Sequence, residues 1–435
     1  MNNKPQIYHG EWWLPADANP QNQGPFKVEP FEKRYPGTLT YYENEGVTLE
    51  LYHIPSNFHS SHYSYNRVLW GKDANGNVFT LFDAVMADWT AEINDSNYDY
   101  TKTIFKVSLV LIGEHVISID DTRFNQCVVQ FPYLRNWAFR NNLTYQNKEG
   151  NHYHILEDNS KKDYLVEVQV ENGIKWILRD RNIQHRTRYD LSITQVTELM
   201  IEATCEVSIG KYINQLVEFS QFLSIALYGE QHPSDIYLVN RTHHRQAKLL
   251  FKKENSTNPG MSLLIKFEEL KKKAPSMLRI WHENYQRLAP ISSYLVDSLR
   301  KNKTFDVPDF LILAQAIDGY HKRFVNKKCG KDHQKYEDGI KILLKQFEDV
   351  DCIQKCHIAP KVLTQSRDKY SHLLLDQEKP LAVEGKELFW LTEKCKILLT
   401  CCILDLIGLT NEEINLCIKE SPIQNLIDTN PFEFE

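Results

Sequence analysis

Apolar and polar positions alternate along most of residues 1–200, and the period then lengthens to that of a helix. Val47, Leu49 and Leu51 alternate with polar neighbours and predict a half-buried strand over Val47–Ile54, with Gly37–Tyr41 as a strand before it. Tyr65–Gly71 and Val78–Phe82 flank Asn75-Gly76, a dipeptide suited to a tight hairpin turn. Thr103–Gly113, Gln126–Phe131, Tyr164–Val170 and Lys175–Leu178 continue the series. Strands this closely spaced, joined by Gly, Asn and Asp, predict an antiparallel sandwich or barrel-like domain.

From about residue 192 the apolar residues recur every three or four positions. Ile193–Cys205 and Ile213–Tyr228 read as helices, the second ended by Gly229 and Pro233. Ile236–Val239 is a short strand candidate. Gln246–Glu254 and Phe267–Lys273 carry many lysines; solvated helix faces are the first reading and RNA contact the second. Met277–Arg300 reads as a helix broken at Pro290, with Trp281 and Leu288 packed on a neighbouring domain. Four more helices follow: Phe310–Phe324, Asp338–Val350, Val362–Leu375 and Leu388–Leu409. Pro308 suits the start of the first and Gly408 the end of the last. Their connections are short to moderate, as in a helical bundle. The expected organisation is α+β: a β-rich antiparallel domain over 1–200, a mainly helical connecting region over 201–303, and an all-α helical bundle over 304–435.

Composition adds bounds rather than function. A chain of 435 residues exceeds one ordinary core, so two or three domains are expected. A net charge of −6 means that any RNA contact must use a local basic patch. The 9 cysteines are scattered and odd in number, which fits a reducing cytosol better than a disulfide framework. Cys352, Cys356 and His357 form C-x-x-x-C-H, half of a zinc site by spacing. No second pair matches it, and ordinary thiols on and beside a helix are the better reading. The first residues contain no apolar signal core, and the longest apolar run, Ile397–Leu409, contains Asp405 and is too short to span a bilayer. A cytoplasmic protein without a membrane partner is expected. Trp12, Trp13, Trp70, Trp89, Trp137 and Trp176 all fall in the β-rich part. Sheet packing is the first reading for most of them, and a ligand-binding or base-stacking face the second.

The candidate chemistry lies in Thr364–Asp376, TQSRDKYSHLLLD, where Arg367, Asp368 and His372 are spaced R-D-x-x-x-H. In a chain with 16 histidines such a pair arises by chance, so context must carry the argument. RNA can be cut without a metal when its own 2′-hydroxyl attacks the adjacent phosphorus. That reaction needs a proton acceptor, a proton donor and a cation on the phosphate oxygens. His372 can move protons near neutrality. Arg367 can fork onto the phosphate and stabilise the negatively charged transition state. Asp368 and His372 are four apart on one helix face, so Asp368 can fix the imidazole tautomer. Arg367 and His372 are five apart, about 140° around an ideal helix. Either Arg367 lies in an unwound helix start, or two copies of the motif meet across a dimer. Arg179, Asp180 and His185 form a near copy, R-D-x-x-x-x-H, among Arg181, Arg186 and Arg188; it reads as a loop-like basic patch for RNA. No Gly-rich phosphate loop, H-E-x-x-H or G-x-S-x-G occurs.

These residues resemble a known family. The C-terminal bundle is similar to a HEPN domain, whose motif is Arg, a polar residue, three to four residues and His; Arg367-Asp368-Lys369-Tyr370-Ser371-His372 fits it. Ala314–His321 resembles the first HEPN helix, with Asp318 where an acidic residue faces the site and Glu is the commoner choice. Leu398–Leu409 resembles the closing helix. The N-terminal part resembles the first domain of ApeA-type abortive-infection proteins through Gly10–Pro15, Pro36–Thr40 and Thr48–Leu51. The resemblance implies an antiphage ribonuclease that needs no metal or cofactor, acts as a homodimer with paired motifs, and cuts host RNA, with tRNA a candidate. It also implies that the β-rich domain senses a phage-derived trigger or restrains the nuclease. The catalytic set so implied is Arg367, Asp368, His372 and Asp318. Two rival readings are a non-catalytic HEPN module for RNA binding or dimerisation, and a ligand-binding protein acting through its N-terminal tryptophans.

Overall fold

The computed structural model describes residues 4–13, 34–55, 67–94, 97–139, 143–148, 152–157, 164–186, 188, 191–300, 307–326 and 335–430. Leu14, Pro15 and Tyr65, which belong to the segments read above, lie outside them.

The first strands are β1 (Gln6–Trp13), β2 (Tyr35–Tyr42), β3 (Gly46–Pro55), β4 (Arg67–Asp73), β5 (Val78–Asn94) and β6 (Asn97–Val107). They pair antiparallel in the order β5-β4-β1-β2-β3-β6, and β6 pairs back onto β5, so the sheet closes into a barrel. Alternation sets the inside: Leu39, Tyr41, Val47, Leu49 and Leu51 join Trp12, Phe79 and Phe105 in its core. Gly71 is required by close approach, because a Cβ there would overlap the Trp12 ring. The Asn75-Gly76 turn forms as expected, with Gly76 at φ +86. The Asp73 carboxylate fastens it, accepting the Asn75 and Asn77 backbone N–H groups at 2.9 and 2.8 Å.

Beyond β5 the sheet opens into a wing. Its order is β7 (Leu109–Ile112), β15 (Arg245–Phe251), β14 (Asp235–Asn240), β8 (Thr122–Gln130), β13 (Leu191–Ser208), β12 (Ile174–Arg186) and β11 (Tyr164–Glu171). A separate hairpin pairs β9 (Leu143–Lys148) with β10 (His152–Glu157). Two segments that read as helices are strands here: Ile193–Cys205 lies in β13, and most of Gln246–Glu254 is β15. The physical reason is burial on both faces. Leu199 and Ile201 enter the main core while Met200 packs with Val128 and Ile177 on the other side. A strand covered on both sides loses its period-two signature.

The wing is covered by α2 (Ile209–Ala226), which follows the short α1 (Leu134–Trp137) in the chain. The Ser208 hydroxyl caps α2 by accepting the Lys211 N–H at 3.2 Å. Phe219 meets Trp176 edge-on at 5.6 Å. Past α3 (Phe267–Leu270), α4 (Ala274–Ser298) runs through Pro290 without the expected break. Leu288 and Ile291, both buried, hold the turns on either side of the missing donor. Trp281 of α4 donates its indole N–H to the Glu218 carbonyl at 3.1 Å and packs on Phe222. Helix α4 contacts α2 and β11 as well as the bundle that follows.

That bundle consists of α5 (Val307–Tyr320), extended by a π-helical turn at His321–Asn326, then α6 (Tyr336–Gln346), α7 (Asp351–Cys356), α8 (Pro360–His372), α9 (Gly385–Leu406), α10 (Asn411–Lys419) and α11 (Pro422–Thr429). Helix α9 is its buried axis, with Cys395, Leu398, Leu399 and Cys402 all inaccessible. Gly408, at φ +93, ends it. One apolar core runs from the wing through α2 and α4 into the bundle. Trp12, Trp137 and Trp176 are core residues, whereas Trp89 is half exposed. Among the described residues no helix is long and apolar enough to cross a membrane.

Candidate active site on helix α8

Pro360 opens α8 at a position where a missing N–H costs nothing. Leu363 and Ser366 face inward, and Tyr370 meets Phe310 of α5 edge-on at 6.2 Å. That face docks α8 on α5 and α6. Arg367 is seven residues inside a regular helix, so it does not lie in an unwound start. His372 is the last helical residue and is exposed; it forms no hydrogen bond or ion pair among the described residues. Leu373 then turns the chain, with φ 53 and its N–H on the Lys369 carbonyl.

Arg367 is held from several sides. Its guanidinium lies 4.9 Å from the centre of the Tyr336 ring. It pairs with Asp368 at 3.3 Å and stands 4.0 Å from Asp318 on α5. Asp318 also takes Lys322 at 2.8 Å, one turn along its own helix. The other oxygen of Asp368 takes Lys379 at 3.0 Å. Within one chain the Asp368 carboxylate is thus occupied by Arg367 and Lys379, and the tautomer-fixing contact to His372 does not form. Tyr336 is partly buried, desolvation pushes its phenol pKa well up, and its hydroxyl donates to the Ala314 carbonyl at 3.2 Å.

The segment after α8 folds back along it. Gln365 accepts the Leu381 N–H at 2.9 Å, Ser366 accepts the Val383 N–H at 3.1 Å, and Tyr370 donates to the Val383 carbonyl at 2.9 Å. Lys369, nearly buried, reaches both Asp376 and Glu384. Those two hydrogen-bonded carboxylates hold its ammonium pKa above the ordinary lysine range. Along the folded-back segment, between Lys369 of α8 and the start of α9, lies an open cleft of about 490 Å³. Of the expected site residues, Arg367, Asp368 and Asp318 come together around one guanidinium, and His372 stands apart at the helix end. Tyr336, Lys322 and Lys379 lay outside the expected set. Only Lys322 carried a local signal, the i,i+4 spacing to Asp318.

The near copy of the motif is different. Arg179 and Arg181 both bind Glu198, at 3.0 and 3.4 Å, and Asp180 accepts the Thr197 hydroxyl at 2.7 Å. They lie in strand β12 rather than a loop, and the His185 side chain is outside the described ones. The lysines near Phe267 tie elements together: Lys273 reaches Glu413 of α10 at 2.6 Å and Lys266 reaches Glu420. Cys352 is buried, 3.9 Å from the Cys401 sulfur. Among the described residues no group of three or more His, Cys, Asp or Glu is placed to hold a metal ion.

A β-barrel with an open wing is joined through α4 to a helical bundle that bears R-x-x-x-x-H on α8. Residues 7–281 match the family model for ApeA N-terminal domain 1, and residues 311–413 match that for the Apea-like HEPN domain. The first match spans more than half the chain, so the chain belongs to the ApeA family, and it ends in a HEPN domain. The second contains Asp318, Arg367, Asp368, His372 and Lys379. No curated protein and no solved structure matches the chain. This family points to antiphage defence through a HEPN nuclease domain.

Proposed function

We propose that the protein is a metal-independent endoribonuclease of antiphage defence, acting in the cytoplasm, with its site assembled from two copies of α8. The observation that carries this reading is the regularity of α8 around Arg367. With the unwound start gone, one helix aims Arg367 and His372 apart by about 140° and some 7.5 Å of rise. A second copy turned about a two-fold axis supplies the missing partner for each. Arg367 binds the scissile phosphate and stabilises the charge that builds on it. His372 moves the proton of the attacking 2′-hydroxyl or of the leaving oxygen. Asp368 and Asp318 position Arg367, supported by the 3.3 and 4.0 Å separations. The substrate is host RNA, with tRNA as the first candidate, and a phage-derived trigger acts through the β-rich domain.

The test uses purified wild type and His372→Ala with total tRNA in the presence of EDTA. Cleavage by wild type that the variant loses is the expected result. Cleavage by both moves the chemistry away from His372. If wild type stays inactive even after extract from infected cells is added, the reading falls to a non-catalytic HEPN module.

A further inference from the structure

The cleft beside α8 contains chemistry that the motif does not use. It is lined by Lys369, Lys379, Lys386, Asp376, Glu384 and Glu387, among others. Its three cations and three carboxylates balance, so it has no net pull on a bare polyanion. A mixed cleft of this size instead matches a ligand that offers an anion and N–H donors together. The two best-placed lysines differ sharply. Lys369 is committed to two carboxylates, and its side chain is only 10% exposed. It is a clasp that joins the two ends of the folded-back segment. Lys379 gives one N–H to Asp368 at 3.0 Å, is 25% exposed, and lines the cleft. An ammonium has three donors, so two remain for a ligand. Through Asp368 the Lys379 ammonium is also chained to Arg367, so the two cations flank a single carboxylate.

We infer that this cleft is an RNA subsite for the nucleotide next to the scissile phosphate, and that Lys379 is the cation on that nucleotide's phosphate. Exposed Glu387, on the cleft wall, accepts N–H donors of the base. The inference rests on the proposed ribonuclease reading but does not need cleavage to be observed. Two cations on either side of Asp368 give the RNA two successive phosphate contacts, of which Arg367 supplies the reacting one. Asp368 sets their spacing. The carboxylates of the cleft then restrict binding to single-stranded RNA, whose bases are free to turn inward.

The experiment measures binding of a short unstructured single-stranded RNA to the full chain carrying His372→Ala, across a salt series. Each phosphate contact to a single strand contributes about 0.7 to the slope of log affinity against log salt. Adding Lys379→Ala is expected to weaken binding and lower that slope by about 0.7. Adding Lys379→Arg instead restores the slope, because the cation is kept. A purely positioning role for Lys379 would leave the slope unchanged in Lys379→Ala, and that result overturns the subsite alone. If the His372→Ala chain binds no RNA at any salt, the ribonuclease reading fails and the subsite falls with it.

Discussion

At the scale of single residues, the site is organised around one guanidinium. A lysine at 367 would keep a charge but lose the planar fork and the stacking on Tyr336. Arg367→Lys is therefore expected to cut the RNA cleavage rate by about 100-fold or more, the usual cost of losing a transition-state donor. Its ion pairs are partly solvated, with the side chain 32% exposed, so stability should change by less than about 1 kcal/mol. Initial cleavage rates and a melting curve of the same preparation check both halves; unchanged cleavage would remove Arg367 from the chemistry. The R-D-x-x-x-H spacing of Arg367, Asp368 and His372 was legible in the sequence because it is local. Their surroundings were not. Tyr336 comes from another helix, and Lys379 reaches Asp368 only because the chain after Leu373 doubles back, a path that no periodicity records. The contact between Asp368 and His372 failed for a related reason: a shared helix face permits a contact, but two cations competed for the same carboxylate.

At the scale of elements, period was a reliable guide for several strands and helices, though it left α10 and α11 unread. Strands β2 and β3 and helices α5, α8 and α9 fall within a few residues of their expected bounds. It failed in β13 and β15, where core lies on both sides, and at Pro290, where tertiary packing outweighs a lost hydrogen bond. The same packing brings charges together that no pattern shows. His282 of α4 stands 2.8 Å from Glu218 of α2, with Glu171 of β11 at 3.7 Å. Lys211, bound to Glu171, is the nearby cation. Burial disfavours the imidazolium, but the carboxylates, Glu218 foremost, outweigh it and hold the His282 pKa above its ordinary 6.5. A raised histidine pKa means that the folded state binds the proton more tightly than the unfolded chain. The resulting stability is fully present below pH 6.5 and is lost as pH climbs through the folded pKa. Stability should therefore fall as pH rises above 6.5. His282→Gln should flatten that part of the profile, as read by denaturant midpoints at several pH values. An unchanged slope in the variant would assign the pH dependence to other groups.

At the scale of the whole molecule, the first family match ends within α4 and the second begins within α5, and the apolar core runs on between them. Ile291 of α4 packs at Gly319, where an added Cβ would come within 3.7 Å of it. Gly319 adjoins Asp318, which faces Arg367. Under the proposed control by the β-rich domain, a displacement of α4 would have a short mechanical route to the guanidinium. Such control requires that barrel, wing and bundle behave as one cooperative body, and Trp281 tests this. It is 1% exposed, meets Phe222 of α2 at 5.6 Å, and bonds the Glu218 carbonyl. Trp281→Ala leaves a cavity at the junction and a carbonyl without its donor, with an expected cost of about 3–5 kcal/mol. In a single cooperative body that loss moves one calorimetric transition to lower temperature for strand and helix signals alike. If the bundle instead melts at its original temperature while the β-rich part melts earlier, the continuous core does not couple the two. Control of the nuclease would then have to pass through the polar ties at Lys273–Glu413 and Lys266–Glu420. These are solvent-screened surface ion pairs, each too weak to couple the two parts by itself.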